Sequence, residues 1–110
     1  GNEIFVYYYW GAKTPEQVDA FFDVAEHFVS VNGVWYKIRN AGLDDIRYDD
    51  NDDLYKRRYW MNIGTLKKPG WYRINTIVDI TGYVYDGFGF SGPGTDNPRI
   101  DMDCDVQVVN

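Results

Sequence analysis

Strict alternation of apolar and polar residues in the second half of the chain is the feature that most limits its fold. One alternating run consists of Tyr72, Ile74, Thr76, Val78 and Ile80, and another of Met102, Cys104, Val106 and Val108. Successive side chains of a strand point to opposite faces of a sheet, so each run predicts a strand with one face in the core. We therefore expect Cys104 and its run to point into the core opposite the first run.

Three further segments have the composition of strands: Glu3 to Trp10, Val34 to Arg39 and Tyr55 to Ile63. Aromatic residues make up 18% of the chain and favour the pleated surface of a sheet. The first segment is apolar or aromatic on both faces, which predicts that it is covered on both sides or lies against a partner. A length of 110 residues is typical of one domain, so we expect a single domain over residues 1–110.

A helix signal interrupts this pattern near the N-terminus. Thr14 is a typical N-cap, Pro15 favours the first helical position, and Gln17 can complete a capping box. The apolar residues that follow have helical spacing: Val18, Phe21, Phe22, Ala25, Phe28 and Val29. We predict a helix over 15–30 that ends at Asn32-Gly33, with His27 on its polar face. The alternative is a strand that runs into a hairpin at Asn32-Gly33.

Charge and rare residue types exclude several classes of protein. A net charge of −6 argues against nucleic-acid binding, which needs a basic surface. One cysteine and one histidine leave no internal disulfide framework and no multi-histidine metal site. No apolar run approaches the roughly 20 residues of a transmembrane helix. Phosphate and dinucleotide loops are absent from the sequence, and we expect no cofactor.

A turn motif precedes the first alternating run. Leu66-Lys67-Lys68-Pro69-Gly70-Trp71-Tyr72 resembles the corner before the penultimate strand of immunoglobulin-like and fibronectin type III-like sandwich domains. Val78-Asp79-Ile80-Thr81-Gly82 is similar to the strand-ending turn of such domains in bacterial surface proteins. The two motifs together span 17 residues.

This resemblance implies a mostly β, Ig-like antiparallel β-sandwich, to which we add the one N-terminal helix. It also implies an extracellular setting and a hydrogen bond from the Tyr72 hydroxyl to the corner backbone. It implies no catalytic residue. An α+β fold, with the helix packed on an antiparallel sheet, is the alternative.

Carboxylates are concentrated in residues 44–53. Asp49, Asn51 and Asp53 have the spacing of the first three EF-hand ligands, but Leu54 stands where that loop needs glycine. We therefore expect no EF-hand and no metal requirement, and these three residues are the candidates for a looser calcium site. The six Lys and Arg residues of 54–73 predict instead that the two blocks pair with each other.

Outward-facing side chains of two strands predict a binding face if the strand from Val34 lies beside the strand from Trp71. The first strand contributes Trp35, Lys37 and Arg39, and the second contributes Trp71 and Arg73. Two Trp rings among three cations could stack on a sugar or meet an anionic partner. The alternatives are that Asp101, Asp103 and Asp105 neutralise the cations, or that the helix covers the rings. Trp60 is expected on the opposite sheet.

These observations favour a non-catalytic binding or adhesion module of a bacterial surface or secreted protein, including lipoproteins. Its ligand would be a glycan or a protein, and its location extracellular or anchored at the cell surface. The alternatives are a small hydrolase that uses paired Asp residues and a structural or assembly subunit that associates through the strand at residues 3–10.

Overall fold

Ten strands and one helix make up residues 3–109, the part of the chain that the computed structural model describes. In chain order the elements are β1 (Glu3–Ala12), α1 (Pro15–Val24), β2 (Ala25–Val31), β3 (Val34–Tyr36), β4 (Asn40–Leu43), β5 (Arg47–Asp49), β6 (Leu54–Thr65), β7 (Gly70–Ile80), β8 (Val84–Tyr85), β9 (Phe90–Ser91) and β10 (Arg99–Val108). The structure is therefore mostly β with one helix near the N-terminus, as predicted.

The strands form two four-stranded antiparallel sheets and a small hairpin. Sheet A has the order β1-β6-β4, with β5 also paired to β6, and sheet B has the order β10-β7-β2-β3. Strands β8 and β9 pair only with each other. Within residues 3–109, the helical part of the chain is too short and too polar to cross a membrane.

The inner faces of the two sheets share the core. One cluster contains Val29, Val31 and Ile74 from sheet B together with Met61 and Ile63 from sheet A. Each such side chain contributes about 1.5–3 kcal/mol when it is fully buried. This packing confirms a sandwich in which period-two alternation selects the core residues.

Helix α1 begins as the sequence predicts but ends early. Thr14 and Gln17 form the expected capping box, and Val18 and Phe21 are buried against the sandwich. The prediction of a helix to residue 30 is wrong, because residues 25–31 form β2 and pair with β7 on one side and β3 on the other. Asn32 and Gly33 have positive φ and make the β2–β3 hairpin, as the alternative interpretation expected.

The corner before β7 has the contact that the motif implies. The Tyr72 hydroxyl donates a hydrogen bond to the backbone carbonyl of Lys68 at 2.7 Å. Gly70 starts β7 at φ 142°, a conformation that side chains rarely adopt. The turn and the strand that follows are thus tied together by one side chain.

The expected burial of Cys104 is wrong. Its register partner Ile74 is buried, so Cys104 faces the inner side of sheet B, yet it is exposed. The reason is that β10 is the edge strand of its sheet. Val34 and Tyr36 are exposed for the same reason on edge strand β3, although their register partners Val31 and Val29 are buried.

His27 lies half-buried between the two sheets rather than on a polar helix face. It belongs to the inner face of β2 and stacks on Tyr59, with ring centroids 3.6 Å apart. Its Nε2 lies 2.6 Å from the Tyr8 hydroxyl. Burial lowers the pKa of His27 to about 4 and raises that of Tyr8. The hydroxyl therefore keeps its proton and donates a hydrogen bond to Nε2 of the neutral imidazole.

This half-buried imidazole makes the stability of the fold depend on pH. The pKa of His27 is about 4 in the folded chain and near 6.5 in the unfolded chain, so between these values only the unfolded chain binds the proton. Stability should be full above about pH 6.5 and fall as the pH drops toward 4. One pKa unit is worth about 1.4 kcal/mol. Allowing for the ring's partial exposure, we expect a loss of about 1–2 kcal/mol.

Urea unfolding at pH 7.0, 6.0, 5.0 and 4.5 measures this loss. His27→Gln is the control, because glutamine can accept from Tyr8 but does not titrate, while the carboxylates remain unchanged. Its stability should decline less over this window. Parallel curves for the two proteins would show that His27 is not the titrating group.

Candidate functional site

The binding face that the sequence predicted is only partly assembled. The prediction required the strand from Val34 to lie beside the strand from Trp71, and this is wrong, because β2 lies between β3 and β7. Trp35 is in register with Ser30 of β2, which in turn is in register with Asn75 of β7. Trp35 and Trp71 therefore share the outer face of sheet B but are separated by a strand and by several residues along it.

The cations of that predicted face are also dispersed. Lys37 and Arg39 are exposed, but they follow the end of β3 and lie on the crossover to sheet A. The Arg39 backbone N–H donates to the Asn62 carbonyl of β6 at 2.8 Å. Only Arg73 lies in the same strand as Trp71, and it pairs with Asp105 at 3.2 Å.

Both Trp rings nevertheless remain uncovered. Trp35 is 63% exposed and Trp71 is 67% exposed. Helix α1 does not cover them, because it packs against β1, β6 and β8 at one end of the sandwich. Trp35 contacts Phe28 edge to face at 6.3 Å. The acidic residues of β10 line the same face, as the alternative interpretation expected.

A larger set of exposed rings lies on the outer face of sheet A. The odd-numbered positions of β1 place Phe5, Tyr7 and Tyr9 in one row, each more than half exposed. Trp60 of the neighbouring β6 is the register partner of Tyr7 and meets Phe5 edge-on at 6.1 Å. We call these four residues the aromatic face.

A glycine in β4 gives Trp60 its position. Gly42 is the register partner of Trp60 on the other side of β6. A Cβ at residue 42 would lie 2.5 Å from the Trp60 ring, so the indole occupies the space that any other side chain would need. As expected from the sequence, Trp60 is on the sheet opposite Trp35 and Trp71.

A cleft of about 600 Å³ adjoins the aromatic face at Tyr9. Its remaining walls come from β5, β6 and the loop between β4 and β5, and they consist of Asp44, Asp45, Arg47, Tyr48, Asp49, Lys56 and Arg58. Three carboxylates face three cations, so the formal charge of the lining is balanced. The cleft offers hydrogen-bond donors and acceptors beside an exposed ring.

Ion pairs hold part of this lining in place. Arg58 pairs with Asp44 at 2.7 Å and lies over the Tyr7 ring, 5.4 Å from its centroid. Lys56 pairs with Asp49 at 2.9 Å and also with Asp52. The acidic and basic blocks therefore neutralise each other, as the sequence predicted. The Lys56 ammonium also keeps the pKa of Asp49 below its usual range.

The calcium candidates are engaged with protein groups. Asp49 accepts from Lys56 and from the backbone N–H of Asn51, and Asp53 accepts from the Tyr48 hydroxyl. Within residues 3–109, no group of three or more His, Cys, Asp or Glu side chains is placed to hold a metal ion. The side-chain oxygens of Asp49 and Asp53 thus stabilise the loop itself.

Sequence reasoning missed the aromatic face because it expected β1 either to be covered on both sides or to lie against a partner, and it did not join the rings of β1 with Trp60. The inner face of β1 is covered, since Ile4, Val6 and Tyr8 pack in the core. A signal for the open outer face was present in the pairing strand. Lys56 and Arg58 alternate with the core residues of β6, and only a solvent-exposed outer face accommodates them there.

Replacing Gly42 tests the position of Trp60. In Gly42→Ala the added methyl group should displace the indole, at a cost in stability of about 1–2 kcal/mol. The indole N–H resonance of Trp60 should shift in an ¹H–¹⁵N spectrum, while those of Trp35 and Trp71 stay unchanged. Gly89→Ala is the matched control, because nothing lies within 4 Å of its added Cβ. Unchanged Trp60 resonances in both variants would contradict the close approach.

Comparison of the chain with models of known protein families, with curated proteins and with solved structures found no match. The resemblance at the corner before β7 therefore remains a sequence-based prediction, and the functional argument depends on the geometry of the aromatic face and its cleft.

Proposed function

We propose that the protein is a non-catalytic binding module that recognises a carbohydrate at the aromatic face and the adjoining cleft. The observation that carries the proposal is the row of Phe5, Tyr7 and Tyr9, exposed on a strand and continuous with a charge-balanced cleft. The module would belong to a secreted or cell-surface protein. That setting is supported only by the corner motif and its Tyr72 hydrogen bond.

The exposed rings favour a ligand with flat apolar surfaces. Two residues of a strand that share a face are about 6.7 Å apart. The Tyr7 and Tyr9 rings meet edge to face, with their centroids 6.1 Å apart and their planes at 89°, so one offers its face where the other offers its edge. A soluble protein rarely keeps such a contiguous apolar patch unless it is used for binding. Pyranose rings present C–H groups that pack on aromatic faces, so several sugar units could contact the row in sequence.

The cleft supplies the polar half of carbohydrate recognition. A sugar hydroxyl is both a donor and an acceptor, and the lining offers carboxylate oxygens beside guanidinium and ammonium groups. Because these charges balance, the cleft has no strong preference for an anion or a cation. An uncharged polyhydroxyl ligand satisfies both sets of groups. Tyr9 belongs to the cleft and to the row, so one ligand can contact both.

The hydrolase alternative has less support in this cleft. A glycosidase of the common type needs one carboxyl group whose pKa is raised, so that it can donate a proton. Lys56 instead lowers the pKa of Asp49, and Arg58 holds Asp44 in an ion pair. The lowered pKa keeps Asp49 charged, which suits an acceptor of hydrogen bonds better than an acid catalyst.

Single substitutions distinguish the aromatic face from the Trp residues of sheet B. We expect Tyr9→Ala and Tyr7→Ala to weaken binding to a glycan identified on an array by at least tenfold, about 1.4 kcal/mol. Trp35→Ala and Trp71→Ala are matched controls with similarly exposed rings on the other sheet, and they should bind as the wild type does. Titration calorimetry with the array's strongest soluble oligosaccharide gives the affinities.

Thermal unfolding of the four variants accompanies these titrations. All four rings are exposed, so the melting temperatures should stay close to that of the wild type. Loss of binding in the Trp35 or Trp71 variants alone would move the site to sheet B. Absence of any glycan ligand on a broad array would contradict the proposal itself.

A further inference from the structure

An apolar groove of about 400 Å³ runs between the two sheets on the side opposite β3 and β4. Its walls are β1, the edge strand of sheet A, and β10, the edge strand of sheet B. Ile74 and Thr76 of β7 contribute to its lining, together with Val6 of β1 and Met102 of β10. The sandwich is therefore open along this side, which is why Cys104 is exposed.

Both walls of the groove are free strand edges. Within the described residues, β1 pairs only with β6 and β10 pairs only with β7. Each of these ten-residue strands thus has backbone N–H and C=O groups on one side that no other strand within residues 3–109 uses. Such an edge is a template for an added strand, and proteins usually block it with charge, proline or bulges. Positions 4–10 of β1 contain no charged residue and no proline, but the register of β1 with β6 shifts between Ile4 and Phe5. The edge of β10 carries three carboxylates, so its charge selects which strand can add there.

The charge on β10 restricts the kind of strand that fits. Asp101, Asp103 and Asp105 point outward along this edge. Arg73 pairs with Asp105, whereas Asp101 and Asp103 accept hydrogen bonds from the neutral amide of Asn75, at 2.5 and 2.8 Å. An added strand would place its own outward side chains next to these carboxylates, where Lys or Arg is favoured and Asp or Glu is disfavoured.

We infer that this groove binds an extended segment of a partner protein, one that alternates apolar and basic residues. The segment adds as a strand beside β10. Its apolar side chains enter the groove toward Ile74 and Met102, and its basic side chains lie along the outward carboxylates. The partner's backbone satisfies the free edge, and its charge offsets the net charge of −6. The groove shares Phe5 and Tyr7 with the aromatic face but no residue with the cleft. Cys104 and the carboxylates of β10 therefore report on the groove, whereas Tyr9 reports on the carbohydrate site.

The single cysteine of the chain reports on occupancy, because Cys104 lines the groove and is exposed. The probe is a synthetic heptapeptide of alternating Val and Lys with blocked ends. Saturating peptide should slow the reaction of Cys104 with a thiol reagent at least tenfold in the native protein. A peptide of alternating Val and Glu, and a Val/Lys peptide with its order scrambled, should leave the rate within twofold.

Two substitutions test the charge argument. Asp103→Asn and Asp101→Asn should each weaken peptide binding at least threefold, as measured by calorimetry. Asp96→Asn, an exposed carboxylate in the loop before β10, is the matched control and should bind as the wild type does. All three positions are exposed, so folding should be unaffected.

Three results would overturn the inference. They are peptide binding that leaves Cys104 fully reactive, equal binding of the acidic peptide, and a dimer whose formation alone protects Cys104. The last result, seen by sedimentation of the protein without peptide, would assign the groove to a second copy of the chain.

Discussion

The pairing of β2 with β7 is the interaction on which the rest of the structure depends. Every residue from Ala25 to Val31 has a register partner in β7. This pairing ends α1 at Val24 and places His27 on the inner face of sheet B, against Tyr59. It also places one strand between Trp35 and Trp71. A helix in the same segment would leave the centre of sheet B without its third strand and the core without Val29 and Val31.

The two outer faces of the sandwich differ because their charges are arranged differently. On sheet A, the cations of β6 are paired with the acidic loop at one end, and the aromatic rings occupy the rest of the face. On sheet B, the carboxylates of β10 lie beside Arg73 and Asn75. Trp71 stands apart there, while Phe28 and Trp35 adjoin the Arg99–Asp79 ion pair. Sheet A therefore presents the longer row of exposed rings, beside a cleft of balanced charge and on paired strands that hold the rings rigidly.

Several features could be read from the sequence since they depend on near neighbours. The capping box at Thr14, the hairpin at Asn32-Gly33 and the Tyr72 corner each involve residues within four positions of one another. The pairing of the acidic and basic blocks was also foreseeable, because the two segments adjoin in the chain. The residue at which α1 ends could not be predicted, because the apolar residues from 25 to 31 satisfy a helical and a strand period equally well.

By itself, the sequence determined which residues form the alternating strands and which side chains share a face of each strand, because the strand's period of two is a local property of the backbone. Only the tertiary structure decided which strands are neighbours and which are edges. That choice exposed Cys104 although its face was predicted correctly, and it joined Tyr9 to a cleft built by residues 35 or more positions away. Neighbouring strands are selected by the packing of whole sheets, and a short sequence pattern does not determine which of the possible strand pairings packs best.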